Sequence, residues 1–158
     1  MMNKESIQAY SQRITQANRS ELTVITYEIL IEHICNAQKS YGERDVFVND
    51  LESAQGFLKE LITSLNFDYK ISYNLLSLYI FINKQLIEAK IKNTAEVLPR
   101  VQKMLEELLS SFQEVSKQDT SQPLMQNTQK IYAGLTYGRN DVNELSLEEN
   151  TQNRGFRA

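Results

Sequence analysis

Between Asn18 and Val115 the apolar residues return at i, i+3, i+4 and i+7 spacing, and only Gly42, Gly56 and Pro99 interrupt them. That periodicity puts one apolar face on each of several successive helices and predicts an all-α chain. The first predicted helix starts at Asn18, whose side chain can cap it, with Glu21 completing a capping box. It runs to about Lys39 and stops at Tyr41-Gly42. The second spans roughly Val46 to Leu65, the third Tyr69 to Ile91 and the fourth Ala95 to Val115. Pro99 falls near the start of the fourth, where a missing amide hydrogen is tolerated. Short connections favour antiparallel neighbours, so residues 18–115 are expected to form an up-down four-helix bundle. Residues 1–17 precede it as a short N-terminal segment. Residues 116–158 are rich in Asn, Gln, Ser and Thr without a sustained period, which predicts a weakly structured C-terminal tail.

Composition narrows the class. A hydrophobic fraction of 41% supplies a core for one domain. A net charge of -3 and a pI near 5.3 argue against holding nucleic acid by its phosphates. The N-terminus is polar and lacks the apolar stretch of a secretory signal, and the longest apolar run, Leu78 to Ile82, is too short for a bilayer. The single Cys35 has no disulfide partner in the chain. A cytoplasmic protein without nucleic acid or membrane insertion is the expectation.

One helix breaks the rule of a single apolar stripe. In the third, Ile71, Leu75, Leu78, Ile82, Leu86 and Ala89 form the natural core face. Tyr69, Tyr73, Leu76, Ile80, Ile87 and Ile91 form another stripe on the opposite side. The first predicted helix repeats this weakly, with Leu22, Ile25 and Ile29 turned away from Tyr27, Ile31 and Ile34. Burying a large apolar side chain is worth roughly 1.5–3 kcal/mol, so a bare stripe carries a substantial cost. Either an own-chain layer covers it, such as the segment carrying Ile7, Tyr10 and Ile14, or the stripe receives a helix of another protein. The two readings are compatible, because an own-chain lid can yield to a partner.

Catalytic inventories are thin. His33 is the only histidine, and Cys35, two residues on, points to a different helix face, so Cys35 reads as a small buried hydrophobe. Leu30 stands three residues before His33, which excludes a Glu-x-x-His metal motif there. No enzyme, metal site or cofactor is expected.

Ala9-Tyr10, Ala17-Asn18-Arg19-Ser20-Glu21-Leu22 and Ile25-Thr26-Tyr27-Glu28, in that order, resemble the N-terminal region of the flagellin-export chaperones of the FliS type. Asn74-Leu75, Leu78-Tyr79 and Leu86-Ile87-Glu88-Ala89 follow its pattern farther on. Ile131-Tyr132 to Tyr137-Gly138 and the ending Arg154 to Ala158 are similar to a C-terminal extension in some members. The resemblance implies an antiparallel helical bundle that binds the disordered C-terminal segment of flagellin in the cytoplasm. It also implies protection against premature polymerisation and delivery to the flagellar export gate. On that reading Tyr69, Tyr73, Leu76, Ile80, Ile87 and Ile91 form the client surface, with Ile7, Tyr10 and Ile14 as a displaceable lid. Leu124, Met125, Ile131, Tyr132, Leu135, Tyr137, Val142, Leu145 and Leu147 make the tail a second candidate for the groove. A self-associating structural bundle, in which the second stripe pairs in a homodimer, or an adaptor for another amphipathic helix is the alternative reading.

Overall fold

The computed structural model describes residues 2–125, and within them five helices follow one another. They are α1 (Lys4–Gln16), α2 (Arg19–Lys39), α3 (Arg44–Thr63), α4 (Lys70–Lys92) and α5 (Leu98–Gln118). Asn3 caps α1 by accepting from the Ser6 amide at 2.7 Å. Asn18 caps α2 through the expected box: its Oδ1 accepts from the Glu21 amide at 2.9 Å, and Glu21 Oε2 accepts from the Asn18 amide at 3.2 Å. Asn93 ends α4 in the left-handed region at φ 50°, a conformation Asn tolerates better than most residues. Pro99 sits in the first turn of α5.

Two boundaries differ from the sequence expectation in instructive ways. Residues 4–16 are helical, so the N-terminal segment is a fifth helix. At the other end α5 runs on to Gln118, three residues beyond the predicted stop at Val115. The predicted tail from Gln126 onward lies outside the described residues.

The helices close into a ring. α2 packs most extensively, against α3 on one side and α5 on the other, and α4 completes the ring between α3 and α5. The core holds Leu30, Ile34, Phe47, Leu51, Leu58, Ile82, Leu86 and Leu105, all fully buried. At its centre the hydroxyls of Tyr27 and Tyr79 hydrogen-bond to one another across α2 and α4. Phe112 of α5 stacks on Tyr27 with ring centroids 5.2 Å apart. Both phenol pKa values are raised, first by burial, because the charged form has lost its water.

The inward seam of α4 corrects the predicted core stripe. Leu75, Ile82, Leu86 and Ala89 are buried as expected, but Ile71 and Leu78 are exposed. Ser72 and Tyr79 take the core positions instead, and Ser72, Leu75, Tyr79, Ile82, Leu86 and Ala89 fall at alternating three- and four-residue steps. Two polar residues can hold that seam because each has a hydrogen-bond partner. The Ser72 hydroxyl donates to the Asn66 carbonyl at 2.5 Å, and Tyr79 meets Tyr27.

Candidate binding surfaces

α4 carries a line of exposed apolar residues. Tyr73, Ile80 and Ile87 stand seven residues apart and so line up along the helix, with Tyr69 and Ile91 extending the line at its ends. Their exposures are 58% for Tyr73, 44% for Ile80 and 37% for Ile87, rising to 64% at Tyr69 and 74% at Ile91. Leu76 is half-buried at the edge of the same face. Five of the six residues of the second stripe are thus exposed, and Leu76 is the half-buried one. At the first turn of α4 the exposed Phe67 rests against Tyr73, ring centroids 5.2 Å apart, which widens that end into an aromatic platform. Exposed Lys84 lies in the line between Ile80 and Ile87. Ile71 and Leu78 are roughly half a turn away from Ile80, on the other flank.

The predicted lid residues are elsewhere. Ile7, Tyr10 and Ile14 belong to α1, and α1 packs on α2 rather than on α4. Tyr10 and Ile14 rest on Ala17, Ile25 and Ile29, with Phe57 of α3 beside them. The physical reason is the weak second stripe of α2: Leu22, Ile25 and Ile29 need cover, and the adjoining N-terminal helix supplies it. As a cover for the α4 stripe, the N-terminal segment is therefore on the wrong side of the bundle.

α1 is lightly attached, for none of its residues is buried. Arg13 pairs with Glu28 of α2, and its guanidinium lies 5.9 Å from the Tyr10 ring centre. The Tyr10 phenol is pushed up to about 12, chiefly by burial and then by its hydrogen bond to Glu32. Between α1, α2 and α3 remains a cavity of about 540 Å³ with Ile7, Tyr10, Ile29 and Phe57 on its apolar walls. His33 and Asp50 also reach it, paired Nδ1 to Oδ1 at 3.0 Å, and the imidazole stacks on Phe57 with centroids 5.7 Å apart. The chain pattern held one signal for this pair: Asp50 falls in register with Phe47 and Ala54, on the face that α3 buries. Cys35 is half-buried and takes no part, its thiol raised first by burial. Among the described residues no group of His, Cys, Asp and Glu could hold a metal ion, and no helix is long and apolar enough to cross a membrane.

A third feature escaped the sequence pattern. After α5 the chain crosses the corner between α1 and α2. Ser20 Oγ donates to the Asp119 carboxylate at 2.5 Å, and Asn18 Nδ2 donates to the carbonyls of Asp119 at 3.4 Å and Ser121 at 3.3 Å. The Leu124 amide donates to the Ala17 carbonyl at 3.1 Å, and Leu124 then lies in a cleft with Leu22 and Leu61. Hydrogen bonds from Ser121 and Ser20 hold the Asp119 carboxyl down at about 2.

Among the described residues the fold is an all-α bundle, a ring of four helices with one apolar face covered by a lightly held fifth helix and another left bare. The sequence model of the flagellar protein FliS family matches residues 2–119, which take in all five helices, and the chain belongs to that family. No curated protein matches the chain.

Proposed function

We propose that the chain is a flagellar export chaperone that binds the disordered C-terminal segment of flagellin in the cytoplasm. In doing so it keeps the subunit from premature polymerisation and aids its delivery to the export apparatus. The observation that carries this reading is the bare line from Tyr69 to Ile91 on α4, in a member of a flagellar protein family. A disordered client segment must give up chain entropy on binding, and a long apolar line returns it by burying one side chain every turn or two. Tyr69, Tyr73, Leu76, Ile80, Ile87 and Ile91 are the proposed client contacts. Ile7, Tyr10 and Ile14 are the proposed lid, over the cavity beside α2 rather than over α4. A long client segment displaces α1 there after engaging α4.

Titration calorimetry of the full chain with the C-terminal segment of its own organism's flagellin tests the reading. Submicromolar 1:1 binding with a large negative heat-capacity change is expected. No heat from folded protein sinks it. The seven-residue spacing of Tyr73, Ile80 and Ile87 also suits pairing with a second copy. Sedimentation over a hundredfold range of concentration separates that alternative, which requires a dimer that the client peptide does not dissociate.

A further inference from the structure

The place where the described chain ends points to an occupant for the α4 face at rest. The segment after α5 crosses the start of α2 at Ala17–Ser20 and reaches the last turn of α3 at Leu61 and Ser64. A short loop leads from that turn into α4, so the described chain ends close to the Phe67–Tyr73 platform. Residues 126–158 remain beyond that point. From Met125 to Asp141 an extended chain covers about 50 Å. The line on α4 is about 35 Å long, at 1.5 Å per helical residue, so reach is no obstacle.

Chemistry selects the stretch. Residues 141–149 carry Val142, Leu145 and Leu147 among Asp141, Glu144, Glu148 and Glu149, with no Lys or Arg. The α4 face is the reverse, an apolar line interrupted by a cation: Lys84 is exposed between Ile80 and Ile87 and has no ion pair among the described residues. Lys70 stands exposed at the start of the helix. An acidic stretch with apolar residues every two or three positions matches that face in both respects. We propose that residues 141–149 of this chain dock on the outer face of α4 as a self-ligand, with Val142, Leu145 and Leu147 along the apolar line and the acidic side chains around Lys84. The docked stretch shields the apolar line and competes with the client for it. This regulation rests on the client-surface reading of α4.

The test uses the full chain with the photo-crosslinking residue benzoylphenylalanine in place of Ile87, at low micromolar concentration, and mass spectrometry of the products. Crosslinks within one chain from position 87 to residues 141–149, lost in the Leu145→Asp/Leu147→Asp variant, are the expected result. Crosslinks between two chains, or none to residues 141–149, overturn the proposal. The flagellin peptide gives the second reading: a self-ligand docked nine-tenths of the time weakens apparent client affinity about tenfold, and the double variant recovers that factor. Equal affinity of both chains for the peptide overturns the competition and leaves the client surface standing. An intrachain crosslink with no peptide binding by either chain overturns the client reading and leaves the docking standing.

Discussion

At the scale of single residues, the polar atoms inside this bundle are placed where removing one is felt by its partner. Tyr27 and Tyr79 are fully buried and their hydroxyls satisfy one another. Changing either to Phe keeps the ring and strands the other hydroxyl in a dry site, which costs about 1–3 kcal/mol. Changing both removes donor and acceptor together. The double variant is therefore expected to lose less stability in urea melts than the two single variants summed. Additive losses would mean that the two hydroxyls do not depend on one another. Ser72 follows the same logic, a hydroxyl admitted to the seam because the Asn66 carbonyl takes its proton.

At the scale of elements, α1 and α4 pose opposite problems. Among the described residues α1 is held by partly buried contacts, the Arg13–Glu28 ion pair and the Tyr10–Glu32 hydrogen bond. Docking raises the Tyr10 pKa from 10.0 to about 12, so docking favours the protonated phenol. Its contribution is fully present below pH 10 and is lost as pH rises through about 12. Hydrogen exchange or limited proteolysis of residues 4–16 is expected to show α1 loosening across that window. If Tyr10→Phe loosens at the same pH, the phenol is not the cause. On α4 the outer line is separable from the inner seam. Ile80→Asp with Ile87→Asp alters only the outer line, where both side chains are still partly covered, so the cost is expected to be about 1 kcal/mol per site and the bundle stays folded. Affinity for the flagellin peptide is expected to fall at least about tenfold, which is roughly 1.4 kcal/mol. Loss of helicity in this variant, measured by circular dichroism, would make the outer line core and end its candidacy.

At the scale of the whole molecule, the sequence made the helices legible because their pattern is local. The Asn18–Glu21 box and the repeats in α3 and α5 set their own boundaries within a few residues. Less legible was which surface meets which, since that depends on residues distant along the chain. Tyr79 shows its inward position only when paired with Tyr27, and the strap at Asp119 only when set beside Ser20. The bare stripe on α4 was readable because it breaks the rule of one apolar face, whereas the similar stripe on α2 gave no sign that α1 would cover it. This difference has a thermodynamic consequence for the assembly as a whole. Among the described residues the ring is closed without anything on the outer face of α4, so a client there adds a layer to a folded bundle and binds the native state alone. Such a ligand stabilises by RT ln(1 + [L]/Kd), about 2.7 kcal/mol at a hundredfold excess over Kd. For a domain of this size that raises Tm by roughly 5–10 °C. Thermal melts of the full chain with and without the flagellin peptide, repeated on the Ile80→Asp/Ile87→Asp variant, measure it. A rise in the parent and none in the variant is the expected pattern. An equal rise in both would mean that the client sits away from the α4 line, and the cavity beneath α1 would then be the surface that holds it.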